Sequence, residues 1–153
     1  MMGQAICKDF HRLVAADVMR RDVATCRRSD CGRYAAAFMD QFECGSLPVI
    51  DPDGDLVGLV TEYDLLRALW AGRDLRQVQV AEIMTPEVCT VTEDMPVAAI
   101  LRLFEAENLI RAPVVAGGKL KGVVARRDIL RGYIRSIATD AGGMPSAREG
   151  RAP

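Results

Sequence analysis

The stretch 58–64, with the sequence GLVTEYD, predicts a strand that ends where a helix begins. Its apolar residues run into Thr61, and the leucines beyond it, Leu65, Leu66 and Leu69, have helical spacing. The first N–H groups of a helix have no partner inside the helix, and the helix dipole attracts negative charge to that end. The junction is therefore suited to bind an anionic group.

Two interpretations of the polar pair in this junction remain open. The Thr61 hydroxyl can donate to and accept from a phosphate or a hydroxyl, and the Asp64 carboxylate can accept from a vicinal diol such as a ribose. The same Thr-x-x-Asp spacing is also that of a helix capping box, in which both side chains serve only the helix end. One junction alone does not distinguish a ligand site from a cap.

The junction belongs to an internal repeat that covers most of the chain. Met19 and Met84 lie 65 residues apart, as do Pro48 and Pro113. The second copy is one residue shorter in the turn before the junction. The junction therefore recurs at an offset of 64 residues, with Asp128 at the position equivalent to Asp64. The match spans 17–69 and 82–134, and repetition on this scale indicates two structural units of the same kind.

Each copy predicts the order β-α-β-β-α. Short strands at 23–25 and 88–91 precede helices with an apolar stripe, formed by Tyr34, Phe38 and Phe42 in the first copy and by Val97, Ile100, Leu101 and Phe104 in the second. Glycine-containing turns then join two strands into a hairpin, and a helix closes each copy. The pattern predicts a leading helix at 1–15, a first unit at 16–72, a linker at 73–80, a second unit at 81–135 and a flexible tail at 136–153.

Composition argues against several functional classes. The 153 residues carry a net charge of −1, whereas nucleic-acid binding requires a basic excess, and no apolar run reaches the length of a membrane span. The only histidine is His11, and the chain shows no nucleophile–base spacing and no metal-ligand cluster, so we expect no catalytic residue and no metal. Five cysteines without CxxC spacing favour a reducing compartment, and we expect a cytoplasmic protein.

Taken together, the repeated features resemble a tandem pair of CBS domains, named after cystathionine β-synthase, an arrangement also called a Bateman module. The resemblance rests on Val18-Met19 and Ile83-Met84 at the start of the copies, on the Leu-Pro-Val and Ala-Pro-Val strands, and on the Gly-h-h-Thr-x-x-Asp junction. It implies an α/β fold of two pseudo-symmetric βαββα units packed through their sheets, with two such pairs commonly forming a flat dimer. It also implies a regulatory, non-catalytic role in sensing AMP, ADP, ATP or S-adenosylmethionine.

The resemblance implies two clefts between the units, each with a junction on one side and the other unit opposite. The residues it assigns to the first cleft are Leu59, Thr61, Tyr63 and Asp64 from the junction, with Met84, Cys89, Leu109 and Ile110 opposite. Those it assigns to the second cleft are Arg126, Arg127 and Asp128, with Met19, Ala24, Cys44 and Gly45 opposite. We expect the first cleft to be occupied in preference, because Ala125 replaces the hydroxyl residue in the second.

The charged residues near the clefts bear on the kind of ligand. Arg126 or Arg127 could meet a phosphate in place of the missing hydroxyl, or both could be solvated charges at a helix start. Glu43 and Glu107 lie where some nucleotide-binding members carry a basic residue, and Arg111 offsets this in the second copy. The acidic residues favour a ligand with few phosphates, or none, over ATP.

The leading hypothesis is an adenosine-ligand sensor that forms a homodimer and signals to a partner protein in trans. The alternative is an interaction protein that keeps the fold without a ligand, in which Thr61 and Asp64 act only as caps. An enzyme is disfavoured by the residue inventory. Redox chemistry through Cys26 and Cys31 is conceivable, but buried or incidental cysteines are the commoner case.

Overall fold

The structure, a computed structural model, describes residues 10–141 and contains two copies of a helix–hairpin–helix unit. A helical turn at 10–12 precedes the first named element. In chain order the elements are α1 Ala15–Val18, α2 Gly32–Gln41, β1 Ser46–Ile50, β2 Leu56–Thr61, α3 Glu62–Trp70, α4 Val80–Ile83, α5 Val97–Ala106, β3 Arg111–Ala116, β4 Lys119–Ala125 and α6 Arg126–Ala141. The mixed helix and strand content confirms the predicted α/β class.

The sheet of each copy is an antiparallel hairpin, β1 with β2 and β3 with β4. Pro48 lies opposite Leu59 in the first hairpin, and Pro113 lies opposite Val123 in the second. The predicted strands at 23–25 and 88–91 are wrong as strands. The structure has only a single parallel bridge at each place, from Cys26 to β1 and from Val91 to β3.

The two hairpins meet at their turns. The Leu56 N–H donates to the Gly118 carbonyl at 3.0 Å, and the Leu120 N–H donates to the Gly54 carbonyl at 3.2 Å. All four turn glycines, Gly54 and Gly72 in the first copy and Gly117 and Gly118 in the second, have a positive φ, which glycine adopts without steric cost.

The short helices that open the copies are exchanged between them. Ala15 and Val18 of α1 belong to the apolar core of the second copy. Val80 of α4 belongs to the core of the first copy. Sequence order therefore assigns each opening helix to one copy, while packing assigns it to the other.

Reciprocal backbone bonds hold this exchange in place. Arg20, just after α1, forms an antiparallel bridge with Val123 of β4, and both N–H···O distances are 2.9 Å. Thr85, just after α4, forms the corresponding bridge with Leu59 of β2, at 2.8 and 2.9 Å. Each hairpin thus gains an extra backbone partner from the other copy, which fixes the two copies face to face.

The apolar stripe predicted for the helix of the second copy is confirmed, and the one predicted for the first copy is wrong for Tyr34 and Phe42, whereas Phe38 packs against the first core. On α5, Val97, Ile100 and Phe104 are fully buried. On α2, the buried residues are Ala35 and Met39. The rings of Tyr34, Phe38 and Phe42 stack in a row, with centroids 4.3 and 5.5 Å apart; Phe38 is half-buried against the first core, and Tyr34 and Phe42 are exposed.

The predicted ends and linker differ in part from the structure. The tail predicted from Ser136 is wrong for 136–141, which continue α6, and 142–153 lie outside the described residues. The leading helix is interrupted before α1, and 1–9 also lie outside the described residues. Within the predicted linker, Val78 is buried and its carbonyl accepts the Gly32 N–H at 2.7 Å, so this segment packs on the first copy.

Candidate functional site

A cavity lies between the two copies and is built by both of them. It spans about 690 Å³ of empty space, a figure that includes the open solvent at its mouth. The residues that line it are Arg20, Asp22, Val23, Ala24, Phe42, Cys44, Ser46, Pro48 and Leu59 from the first half of the chain, with Arg111, Pro113, Val123, Ala125 and Asp128 from the second. Three residues assigned to the second cleft, Ala24, Cys44 and Asp128, line this cavity, as does Leu59 from the first, and we call it the Asp128 cleft.

A close backbone contact forms one wall of the Asp128 cleft. A Cβ atom at Gly122 would lie 2.5 Å from the Arg20 carbonyl oxygen, so only glycine lets β4 approach the segment after α1. Met19 lies at the same contact, half-buried, with its sulfur 3.4 Å from that Cβ position. The exchanged helix thereby brings Arg20 and Ala24 to the cavity.

Asp128 is the buried acidic residue that lines this cavity. Its side chain sits in the first turn of α6, is 7% exposed, and is the one buried charged residue in the described part of the chain. Oδ2 accepts the Ala125 N–H at 2.9 Å, and Oδ1 accepts no hydrogen bond from the described residues. Because Ala125 has no hydroxyl, no side chain at this position caps the start of α6.

The equivalent junction of the first copy is a complete capping box. Asp64 Oδ2 accepts from the Thr61 N–H and from the Thr61 hydroxyl, both at 2.8 Å. Thr61 Oγ in turn accepts the Asp64 N–H at 3.2 Å. The Thr61 hydroxyl therefore donates one hydrogen bond and accepts another within the helix end. Asp64 lines a separate surface depression with Arg67, Arg73 and Glu82.

The remaining residues predicted for the first cleft are dispersed. Leu59 lines the Asp128 cleft. Tyr63 is 66% exposed and lies beneath the Arg67 guanidinium, 5.8 Å from ring centroid to Cζ. Met84 packs against the first core beneath Gly58.

The predicted opposite wall of the first cleft lies near the end of α5. Leu109 is half-buried against the second core, and Ile110 is exposed. Cys89 is half-buried, and burial, followed by the negative charge of Glu107, raises the pKa of its thiol.

Of the residues predicted for the second cleft, Asp128, Ala24 and Cys44 line the cavity. Gly45 lies beside it, where its carbonyl accepts the Glu62 N–H at 3.0 Å. Arg126 is directed elsewhere, because its Nη2 donates to the Leu109 carbonyl at 2.9 Å. Arg127 is exposed on α6.

Sequence reasoning missed most of the polar residues of the Asp128 cleft. Arg20 and Asp22 approach it only because α1 is exchanged, and Phe42 and Ser46 flank the predicted Cys44. Arg111, which we expected to offset the negative charge of nearby acidic residues, does line the cavity. The repeat does relate Arg20 to Thr85, its counterpart in the second copy. That relation points to the cavity only once the backbone pairing of each residue with the other copy is known.

Three carboxylates, of Asp51, Asp53 and Asp55, also lie together in the turn after β1. Asp51 Oδ1 accepts the N–H groups of Asp53 and Asp55, each at 2.9 Å. Lys119 forms an ion pair with Asp55 at 3.0 Å. The hydrogen bonds within the turn and the ion pair with Lys119 explain why the three carboxylates lie close together. Among the described residues, no helix combines the length and the apolar character needed to cross a bilayer.

Comparisons with known proteins identify both copies. The family model described as "CBS domain" matches residues 14–71 and again 80–135. Protein YlbB of Bacillus subtilis, described as uncharacterized, is 34% identical over 114 residues, which are 74% of this chain and 77% of YlbB. Inosine-5'-monophosphate dehydrogenase of Mycobacterium tuberculosis is 32% identical over 79% of this chain, which covers only 22% of that enzyme.

Two solved structures with the same fold contain adenosine compounds. The CBS domain pair of protein MJ0100, in complex with 5'-methylthioadenosine and S-adenosyl-L-methionine, matches with a TM-score of 0.72 and 27% identity over 81% of this chain and 98% of that one. CBSX2 in complex with AMP matches with a TM-score of 0.72 and 28% identity over the same shares of the two chains.

Proposed function

The chain belongs to the CBS domain family, and from this premise we propose that it is a regulatory module that binds an adenosine-containing ligand in the Asp128 cleft. MJ0100 and CBSX2, which share the fold, bind S-adenosylmethionine with 5'-methylthioadenosine and AMP respectively. The proposal concerns ligand sensing rather than catalysis.

The observation that carries the proposal is the position of Asp128. A buried carboxylate with an oxygen left without a protein partner lies on a cavity that both copies build. No side-chain oxygen of the described residues is both buried and without a hydrogen-bond partner, so this oxygen is reached by solvent and is open to a ligand hydroxyl. The apolar side chains of Pro48, Leu59 and Pro113 line the same cavity and provide surfaces for a purine ring.

Charge at the cavity favours a ligand with one phosphate or none. Two arginines, Arg20 and Arg111, line it together with two acids, Asp22 and Asp128. A triphosphate would bring more negative charge than the two arginines offset. AMP, or S-adenosylmethionine with its single carboxylate and no phosphate, is the better electrostatic match.

Binding would act by changing how the two copies sit on each other. The ligand contacts both copies, so it stabilises the arrangement in which the two walls are correctly spaced. A change in that arrangement would be transmitted to a partner protein in trans, and we propose that the chain acts as a cytoplasmic homodimer.

The test compares two matched substitutions. Titration calorimetry with AMP, ADP, ATP, S-adenosylmethionine and 5'-methylthioadenosine identifies the ligand. Asp128→Asn removes the charge at the cavity, and we expect it to weaken binding by about 10- to 100-fold, as for loss of a charged hydrogen bond. Asp64→Asn alters the equivalent residue of the first copy and is expected to leave affinity within about threefold.

Failure of all five compounds to bind the wild-type protein would refute the proposal. A larger effect of Asp64→Asn than of Asp128→Asn would refute the assignment to the Asp128 cleft and indicate the first cleft as the site.

The alternative, an interaction protein without a ligand, is favoured by one observation. The capping box of Thr61 and Asp64 is closed, as expected if these residues have only a structural role. This alternative predicts that Asp64→Ala costs about 0.5–2 kcal/mol of stability and changes no binding constant. Thermal unfolding with and without the five compounds distinguishes it from the sensor.

A further inference from the structure

Phe42 is an aromatic residue at the Asp128 cleft that the protein covers only in part. Its side chain lines the cavity, yet the residue is 51% exposed. An aromatic ring gains most from a partner that stacks on its face or meets it edge to face. Among the described residues that line the cavity, Phe42 is the one with an aromatic ring, so it is the stacking surface that the cleft offers to a ligand.

The neighbours of Phe42 fix the position of its ring. Phe42 follows the last residue of α2, and its N–H donates to the Phe38 carbonyl at 2.9 Å. The Phe38 ring, half-buried against the first core, lies 5.5 Å from the Phe42 ring between centroids. Glu43 then has a φ of 49°, and the Cys44 N–H donates to the Met39 carbonyl at 3.0 Å, so the chain turns sharply after the ring.

The second copy has the same backbone at this place and a different side chain. Glu107 follows the last residue of α5, and its N–H donates to the Leu103 carbonyl at 2.9 Å. The φ and ψ angles are −99° and 5° at Glu107, against −97° and 6° at Phe42. Asn108, like Glu43, has a positive φ. The two copies therefore differ here in the side chain and not in the path of the chain.

The carboxylate of Glu107 lies near the wall that corresponds to the Asp128 cleft in the second copy. Ala24 lines the Asp128 cleft, and its counterpart in the second copy is Cys89. The negative charge of Glu107 adds to burial in raising the pKa of the Cys89 thiol, so the two side chains are close. A carboxylate only accepts hydrogen bonds and has no face on which a ring can stack.

We propose that Phe42 is a specificity-determining residue of the Asp128 cleft, where its ring stacks on the planar base of the ligand. The inference rests on the proposed function and adds which part of the ligand this residue selects. Stacking on an aromatic side chain tolerates any base, because every base has a π-face. Phe42 therefore selects nucleosides over sugar phosphates without choosing among the bases, and the second copy, with Glu107, lacks this preference.

The test compares ligands with and without a base. Titration calorimetry measures AMP and 5'-methylthioadenosine on the full chain, and displacement of AMP measures ribose 5-phosphate. We expect Phe42→Ala to weaken the binding of both adenosine compounds by about tenfold, as for loss of one base–aromatic stack. The affinity for ribose 5-phosphate should stay within about threefold. A variant that failed to fold would lose all three ligands together.

Four further variants isolate the aromatic ring. Phe42→Tyr keeps the ring and should bind AMP within about threefold of the wild type, whereas Phe42→Leu keeps apolar bulk without the ring and should resemble Phe42→Ala. Glu107→Ala alters the equivalent residue of the second copy. Tyr34→Ala removes the ring at the other end of the row on α2, which is not part of the cavity lining. Both of these controls should leave the affinity for AMP unchanged.

The outcomes separate this inference from the proposed function. An unchanged affinity for AMP in Phe42→Ala, or equal losses for AMP and ribose 5-phosphate, would overturn the role of Phe42 and leave the sensor standing. A wild-type protein that binds no adenosine compound would refute the sensor, and the role of Phe42 with it.

Discussion

The two closing junctions differ at one residue that bears directly on function. In the first copy, the Thr61 hydroxyl and the Asp64 carboxylate bind each other at 2.8 Å. In the second copy, Ala125 cannot take part, and Asp128 keeps only the bond from the Ala125 N–H. The copy with the more complete motif has the more self-contained helix end, and the copy with the reduced motif lines the enclosed cavity. The more complete motif therefore does not mark the copy whose junction acid lines the cavity.

The largest expected effect contrasts the two glycines that let the copies approach each other. In Gly122→Ala the new Cβ would lie 2.5 Å from the Arg20 backbone oxygen, whereas in Gly58→Ala it would lie 2.7 Å from the flexible Met84 side chain and 3.0 Å from the Thr85 backbone oxygen, a milder backbone contact. We expect losses of about 3 kcal/mol and about 1.5 kcal/mol respectively. Chemical denaturation measures both, and equal losses would contradict the difference between the two contacts.

A second contrast concerns the single parallel bridges. Cys26 occupies the place in the first copy that Val91 has in the second, and burial, followed by the charge of Asp30, raises the pKa of the Cys26 thiol to about 12. The folded state binds the thiol proton more tightly than the unfolded state does. The protonated thiol therefore stabilises the folded state fully below the ordinary pKa of 9.0, and this stabilisation is lost as the pH rises toward 12. The expected slope is at most about 1.4 kcal/mol per pH unit in that window.

Cys26→Val gives the first copy the residue type that the second copy has at this position. We expect the free energy of unfolding of this variant to fall less steeply as the pH rises through the alkaline range. Urea denaturation from pH 8 to pH 11 is the measurement. A limb that stays as steep in this variant would assign the alkaline loss to other groups.

The capping difference itself can be exchanged between the copies. Thr61→Ala gives the first junction the form of the second and should cost about 1 kcal/mol, since it removes the acceptor of the Asp64 N–H. Ala125→Thr does the reverse and should gain up to about 1 kcal/mol. Melting temperatures that move in the same direction for both variants would show that the two helix starts are not equivalent.

The smallest effect is expected at the residue that follows each cap. Arg126→Ala removes an exposed hydrogen bond to the Leu109 carbonyl and should cost about 0.5 kcal/mol. Glu62→Ala is the matched control, whose side chain makes no such bond among the described residues, and it should be close to neutral. A loss of ligand affinity in Arg126→Ala would indicate that this arginine turns toward the cavity when a ligand binds.

The sequence predicted the features that depend on local spacing. The repeat, the paired hairpins and the strand-to-helix junctions follow from residues close together in the chain, and the buried stripe of α5 follows from aliphatic periodicity. The α2 stripe was a poorer guide, because Ala35 and Met39 are buried while Tyr34 and Phe42 are exposed and only Phe38 packs against the core. Helical periodicity identifies a face but does not say whether aromatic rings on it meet a core.

By itself, the sequence determined that this protein is a duplicated α/β unit of the CBS domain family with a polar junction in each copy. Such features depend on short-range periodicity, turn residues and the register between the two copies. Only the tertiary structure decided that α1 and α4 are exchanged and that the enclosed cavity lies at Asp128 and not at Asp64. Those outcomes depend on contacts between distant segments, such as Arg20 with Val123, whose geometry no local pattern contains.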